Sequence, residues 1–156
     1  MFIIGLTGDD VNEYTLSTGF DVSTASYTQA FSVASQESSP TGIAFNTSGT
    51  KMFVTGETGD SVYEYALSTG FNVSTASFTS SFSVAGQDST PAGIAFNTSG
   101  TKMFVIGRSA QNVNEYALST GFDVSTATFV DSFSIATQVS VAYGLAFDTN
   151  GAKMFV

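Results

Sequence analysis

The feature that most constrains this chain is an internal repeat with a fixed period. Four short segments of near-identical sequence begin at residues 1, 52, 103 and 154, so each starts 51 residues after the previous one. These segments are Met1–Ile3, Met52–Val54, Met103–Val105 and Met154–Val156. Strict self-similarity at such a period is typical of solenoids, propellers and other repeat arrays. We therefore expect a single repeat domain over residues 1–156, with units at about 1–41, 42–92 and 93–143 and a partial unit at 144–156.

Each unit is predicted to contain four strands. In the second unit these are Gly42–Asn46, Lys51–Thr55, Ser61–Leu67 and Phe78–Val84. Short stretches of Ser, Thr, Asn, Asp and Gly separate the strands, as expected for hairpin turns. Pro91 closes the unit in a polar loop, where we expect strand pairing to end because proline has no N–H to donate.

The distribution of apolar residues differs between the strands of a unit. The first two predicted strands are apolar on both faces, whereas the fourth is apolar on one face only. In a propeller blade the inner strands are covered on both sides by neighbouring blades, and the outermost strand meets solvent. The gradient therefore favours propeller blades over a flat sheet with one buried face.

The segment 42–67, GIAFNTSGTKMFVTGETGDSVYEYAL, resembles the blade of YVTN-type and related NHL-like β-propeller repeats. Blades of that family open with a G-[IL]-A-F strand, a polar turn with Gly and a K-x-[FY]-V strand. The resemblance covers nearly the whole chain three times over and implies an all-β propeller, although it implies little about function because propellers host unrelated activities. The units are also similar to near-identical Ser/Thr-rich blades of phage and marine bacterial proteins, which implies a virion or cell-surface context.

Three blades cannot close a ring, because propellers have about four to eight. Open blade faces would expose apolar residues that soluble monomers avoid in large patches. We therefore expect a homodimer in which Gly144–Phe147 of one chain completes the blade that begins at Met1 of the other, giving a six-bladed ring. In that ring Met154–Val156 and Met1–Ile3 compete for one strand position. The alternatives are a segment of a longer propeller and a compact threefold β-trefoil or β-prism.

The charge and the missing residue types limit the function classes. The net charge is −9 with only four basic residues, which argues against binding to nucleic acid or to an anionic membrane surface. The chain has no Cys and no His, so thiolate and imidazole metal ligands and the commonest general base are missing. Serine is abundant, but no His is present to activate it. We expect no catalytic residue, no metal site and no cofactor.

A glutamate and a lysine recur at fixed places in the units. The glutamates could form a ring of carboxylates that binds a cation, or each could pair with the repeated lysine on a neighbouring strand. We interpret both sets as structural repeat pairs. The residues are Glu13, Glu64 and Glu115 with Lys51, Lys102 and Lys153.

Candidate ligand-binding residues are expected where the units differ, since loop tips carry the variable binding surfaces of a rigid scaffold. Glu57 and Arg108 occupy equivalent places in successive units, and Asn12, Tyr63 and Asn114 form a second such set. The stretch 138–143 also breaks the repeat pattern.

From these observations we expect a non-enzymatic binding or structural module with a sugar or protein ligand. A first alternative is a carbohydrate-binding lectin, with a tyrosine such as Tyr65 serving as a platform for a sugar at each blade junction. A second is a metal-dependent propeller hydrolase or lyase with its site at the channel.

Overall fold

The computed structural model describes residues 1–156 and is built from strands, with three turns of 3-10 helix as its only helical elements. No helix in it has the length and apolar character needed to cross a membrane. The strands are β1 (Phe2–Gly5), β2 (Asp10–Leu16), β3 (Ala25–Ser32), β4 (Pro40–Phe45), β5 (Lys51–Gly56), β6 (Ser61–Leu67), β7 (Ala76–Ser83), β8 (Pro91–Phe96), β9 (Lys102–Gly107), β10 (Asn112–Leu118), β11 (Ala127–Ser134), β12 (Ala146–Phe147) and β13 (Met154–Phe155). The 3-10 turns are Val22–Thr24, Val73–Thr75 and Val124–Thr126.

The strands form four separate antiparallel sheets, one for each repeat unit. Strands β4 to β7 form blade 2 and β8 to β11 form blade 3, each in the order inner, second, third and outer strand. Strands β1 to β3 form blade 1, which has no inner strand, and β12 with β13 forms the inner half of blade 4. This arrangement confirms the all-β propeller architecture and excludes the compact trefoil or prism, in which one closed body would contain all strands.

Three of the four strands predicted for the second unit differ from the structure by one or two residues at their ends, because the observed strands are Pro40–Phe45, Lys51–Gly56 and Ala76–Ser83. The role of proline at the start of the inner strand also differs from the prediction. Pro91 does not end strand pairing but begins β8, where it lies opposite Gly107. The missing N–H of proline is tolerated at the first residue of a strand, because no ladder bond from that position is required. Pro40 begins β4 in the same way, opposite Gly56.

The hydrophobic core lies between blades and not within any one of them. Met52, Phe53 and Val54 on the second strand are all fully buried, although successive side chains of a strand point to opposite faces. One face of blade 2 packs on blade 1 and the other on blade 3, in two separate apolar clusters. The outer strand β7 is mostly exposed. The predicted contrast between covered strands and an exposed outer strand is confirmed, with burial greatest in the second and third strands.

The inner strands of successive blades approach each other closely. A Cβ atom on Gly42 would lie 2.8 Å from the Ala92 carbonyl oxygen and 2.9 Å from the Gly93 Cα. A Cβ atom on Gly93 would lie 3.0 Å from the Gly144 Cα in the same way. The Thr41 hydroxyl also donates to the Pro91 carbonyl across this contact at 2.8 Å. The blades therefore converge at these glycines, which is where the axis of a propeller lies.

Replacing Gly42 by Ala should destabilise the protein by about 1–3 kcal/mol, because the new methyl group meets backbone atoms that cannot rotate away. Gly86→Ala is the matched control, since nothing lies within 4 Å of a Cβ at that position. Urea unfolding followed by circular dichroism measures both variants. Equal stabilities for the two would contradict the close approach of the inner strands.

Candidate functional site

Two buried carboxylates organise one end of the blades, here called the upper end. It consists of the loops that join an outer strand to the next inner strand and a second strand to a third. Glu37, in the loop between β3 and β4, is 1% exposed. It accepts hydrogen bonds from the N–H groups of Ser39 at 2.8 Å, Thr58 at 3.0 Å and Gly59 at 3.0 Å. The carboxylate therefore joins the two upper loops of blade 2.

Asp88 does the same in blade 3. It accepts from the N–H groups of Thr90 and Ala110, both at 2.7 Å, and from the Ser109 hydroxyl at 2.8 Å. Burial opposes ionisation of this carboxyl, but the hydrogen bonds outweigh it and hold the pKa of Asp88 below its ordinary value. The third equivalent position is Val139, which packs into the apolar cluster between blades 3 and 4.

An ion pair and an aromatic ring lie at the same end, close to the inner strands. Arg108 follows β9 and forms an ion pair with Glu57, which follows β5 in the preceding blade. The guanidinium carbon lies 5.1 Å from the centre of the Tyr143 ring, which belongs to the chain entering blade 4. Blade 2, blade 3 and the chain entering blade 4 therefore contribute one side chain each to what we call the upper cluster: Glu57, Arg108 and Tyr143.

The backbone fixes the positions of the two charged residues. The Glu57 N–H donates to the Ser39 carbonyl at 3.1 Å, and the Arg108 N–H donates to the Thr90 carbonyl at 3.0 Å. Each residue thus starts its loop directly beside the start of an inner strand. Asp88, which accepts from Thr90 and Ser109 on either side of this contact, holds the loop that carries Arg108.

The upper cluster has unused hydrogen-bonding capacity. Both charged side chains are mostly buried, and the Arg108 Nε is buried without an acceptor. An unpaired donor on a charged group is costly in a folded protein. The Tyr143 ring is largely exposed. The cluster therefore combines a cation whose buried Nε–H has no acceptor, a carboxylate and an open aromatic face.

The second set of variable residues lies elsewhere. Asn12, Tyr63 and Asn114 lie on third strands and not at loop tips. Burial and the nearby Glu37 raise the pKa of Tyr63. Asn114 is buried, and its Nδ2 has no partner. The structure does not bring this set together with Glu57 and Arg108.

The repeated glutamates and lysines meet in two of the three units. The Lys51 Nζ lies 2.7 Å from the Glu64 carboxylate, and the Lys102 Nζ lies 2.7 Å from that of Glu115. Glu13 instead accepts from the Gln29 amide at 2.8 Å. Lys153 forms no ion pair, and no group of three or more acidic side chains converges in the structure. The glutamates therefore lie on separate blades and do not form a ring.

The sequence interpretation missed Glu37, Asp88 and the role of Tyr143. Glu37 and Asp88 are separated by one repeat of 51 residues, and each follows a glutamine, Gln36 or Gln87. That recurrence was the available signal. Tyr143 lies at the end of the stretch 138–143, where the repeat pattern breaks.

Comparison with known proteins gives a clear result for the fold. No protein-family model matches the sequence, and no curated protein matches it. Among solved structures, a provisionally assigned 6-phosphogluconolactonase of Bacteroides fragilis matches with a TM-score of 0.65 at 16% identity, over 99% of this chain and 46% of that one. A functionally unknown protein from Desulfotomaculum acetoxidans matches with a TM-score of 0.63 at 18% identity, over 99% and 50%. The periplasmic gluconolactonase of Pseudomonas aeruginosa matches with a TM-score of 0.51 at 14% identity, over 88% and 35%.

These neighbours share a lactonase-like β-propeller fold, and this chain spans half or less of their length. Two of them are named as lactonases. That finding overturns the expectation of a non-enzymatic binding or structural module, which rested on the missing histidine and cysteine. At 14–18% identity the likeness itself shows the fold alone.

Asp88→Asn should lower the stability at pH 7 by about 1–3 kcal/mol, because an amide cannot accept all the hydrogen bonds that the carboxylate accepts. Since the pKa of Asp88 is lowered by folding, its contribution is fully present above the unfolded pKa of about 3.9 and is lost as the pH falls through the folded value. The difference in unfolding free energy between parent and variant should therefore shrink below about pH 4. Urea unfolding across this pH range measures it.

Asp10→Asn is the control for this experiment. Asp10 lies at the upper end of blade 1, and the third unit has an amide, Asn112, at the equivalent position. The control should match the parent at every pH. A pH-independent gap for the Asp88 variant would show that its carboxylate charge is not what holds the loops.

Proposed function

We propose that residues 1–156 act as one repeat domain of a lactone-hydrolysing β-propeller, with the upper cluster at its substrate site. The observation that carries the proposal is the Arg108–Glu57 pair beside the inner strands, in which the buried Arg108 Nε has no acceptor. The names of two structural neighbours supply the reaction class. This chain spans half or less of their length, so the proposal concerns the site that its own residues form.

Hydrolysis of a lactone needs two functions that the upper cluster contains. Water adds to the carbonyl carbon, and the carbonyl oxygen becomes an oxyanion. The ring C–O bond then breaks, the ring oxygen takes the proton that the base removed from the water, and the product is a hydroxy acid. In this proposal the Arg108 guanidinium donates to the oxyanion. The substrate oxygen first takes the place of Glu57 as the partner of Arg108. The freed Glu57 carboxylate then accepts the proton from water.

The surroundings favour a sugar lactone as the substrate class. The exposed Tyr143 ring offers an apolar face on which a sugar ring can pack. The Arg108 cation also suits the carboxylate of the product or a phosphate on the substrate. We take glucono-1,5-lactone and its 6-phospho ester as the probes.

The finer family assignment is also a proposal. The inner strand Gly42–Phe45 and the second strand Lys51–Val54 carry the G-I-A-F and K-M-F-V patterns of YVTN- and NHL-type blades. Their positions as inner and second strands of blade 2 fit that assignment.

Arg108→Ala should lower kcat/KM for the two lactones by about 100-fold or more, because an oxyanion donor is lost. Glu57→Gln should lower kcat by roughly 100-fold or more through loss of the base. Proton release in a pH-stat, corrected for spontaneous hydrolysis, measures the rates. The parent chain must exceed the spontaneous rate for the proposal to stand.

Two controls accompany these variants. Asp10→Asn removes a different carboxylate at the upper end and should leave the rate unchanged. Arg108→Lys keeps the charge but not the planar group that donates from several nitrogens, so it should recover only part of the activity. If Arg108→Ala hydrolyses either lactone as fast as the folded parent, the assigned site is wrong.

A further inference from the structure

The two complete junctions between blades are built from the same contacts. The lower end of the blades is the end opposite the upper loops. There, in the junction between blades 1 and 2, the centres of the Phe2, Phe45 and Phe71 rings lie 4.4–6.3 Å apart. The junction between blades 2 and 3 repeats this group 51 residues later. Its rings are Phe53, Phe96 and Phe122, at 4.4–6.2 Å.

A hydrogen bond crosses each junction beside the three rings. The Glu13 carboxylate of blade 1 accepts the N–H of Val73, at the start of the 3-10 turn of blade 2, at 3.1 Å. The Glu64 carboxylate of blade 2 accepts the N–H of Val124 in blade 3 at 3.0 Å. Both valines are fully buried in their junctions.

An edge-to-face aromatic pair completes each junction. Phe31 on the outer strand of blade 1 meets Tyr65 of blade 2 with ring centres 5.6 Å apart. Phe82 meets Tyr116 at 5.5 Å between blades 2 and 3. Three separate contacts therefore define a junction: the ring group, the carboxylate bond and the edge-to-face pair.

The free face of blade 3 carries one half of such a junction. Phe104 and Phe147 lie 4.5 Å apart, and no third ring packs on them. Glu115 pairs with Lys102 but accepts no N–H from a turn. Phe133, the equivalent of Phe31 and Phe82, is exposed and has no tyrosine against it.

The free face of blade 1 carries the other half. Phe20, the equivalent of Phe71 and Phe122, is fully exposed. Val22 is 71% exposed, whereas its two equivalents are completely buried. Tyr14 occupies the place that Tyr65 and Tyr116 take in the complete junctions.

We propose that the free face of blade 3 binds the free face of blade 1 of a second copy of this chain. In this junction Phe20 of the second copy packs on Phe104 and Phe147, and the Val22 N–H of the second copy donates to Glu115. Each half supplies what the other lacks, at three separate contacts, and this match identifies the occupant. The proposal is independent of the lactonase activity.

Two copies close the ring in this arrangement. A head-to-tail junction generates a ring where its rotation closes, and three blades from each of two chains give six, within the range of known propellers. The solved neighbours that this chain matches are about twice its length. Two copies therefore provide about as much chain as one neighbour.

One strand has to move when the second copy binds. Strand β13 pairs with β12, placing Ala146 opposite Phe155, which is the equivalent of Phe2. Strand β1 pairs with β2 over four residues, whereas β13 pairs with β12 over two. Strand β1 of the second copy is held by β2 of its own blade, whereas β13 is held by β12 alone. It therefore displaces β13, and its Phe2 takes the place of Phe155 opposite Ala146.

The new junction contains a repulsion that the first junction lacks. Between blades 1 and 2 the Gln29 amide donates to Glu13 at 2.8 Å and to the Asn72 oxygen at 2.7 Å. The equivalents in the new junction are Asp131, Glu115 and Asp21 of the second copy. Three carboxylates would meet there, so replacing Asp131 by Gln should tighten the association.

Light scattering after size-exclusion chromatography measures the association of the full chain. We expect a mass of about 32 kDa, twice the 16.2 kDa of one chain. Phe20→Ser and Glu115→Ala should each raise the dissociation constant roughly 10-fold or more, and Asp131→Gln should lower it. Val130→Thr is the control, since Val130 is an exposed apolar residue of the outer strand whose equivalent is Thr79.

Thiol cross-linking tests the pairing of the faces directly. The chain has no cysteine, so Asp21→Cys with Asp131→Cys introduces the only two thiols. A short bismaleimide should convert this double variant into a covalent dimer, and each single variant should stay monomeric in a denaturing gel. A ladder of higher species would show an open head-to-tail array and overturn the closed ring. A monomer by both methods at every concentration would overturn the interface itself.

Discussion

The whole structure depends on the packing of one blade face against the next. A sheet whose second strand carries Met52, Phe53 and Val54, all fully buried, cannot be stable alone, because both of its faces are apolar. The close approach of Gly42 to Gly93 sets how near the blades come at their inner edge. Since the period is constant at 51 residues, the two complete junctions repeat the same ring group, carboxylate bond and edge-to-face pair, as is typical of repeat proteins.

The two ends of the blades use the repeat differently. At the lower end the phenylalanines, glutamates and the valines of the 3-10 turns are the same in every unit, because they build identical junctions. At the upper end the units differ: Leu6, Glu57 and Arg108 are equivalent, and Val139 replaces the buried acids Glu37 and Asp88. Repetition therefore builds the scaffold, and departures from it bring opposite charges and an exposed ring together at the upper end.

Much of the fold could be predicted from the sequence because its signals are local. The turn residues and the apolar pattern placed β5 and β6 within one residue of their observed bounds. Pro91 was misjudged because proline marks both loops and the first residue of a strand. Glu37 was missed because its partners Thr58 and Gly59 lie more than 20 residues away, in another loop. The sequence does not show that a carboxylate is satisfied by distant backbone N–H groups.

The upper cluster illustrates the same limit and its physical cause. Variation between units singled out Glu57 and Arg108, but only the stacking of blades 2 and 3 makes them partners. The Asp88 carboxylate accepts hydrogen bonds from the Thr90 N–H and from the hydroxyl of Ser109, the neighbour of Arg108. The position of the guanidinium therefore depends on a buried carboxylate that is itself held by backbone N–H groups. Tyr143 reaches the cluster from the chain entering blade 4. The charged site is therefore a product of blade packing, and whatever fixes the junctions also fixes the distance between its cation and its aromatic ring.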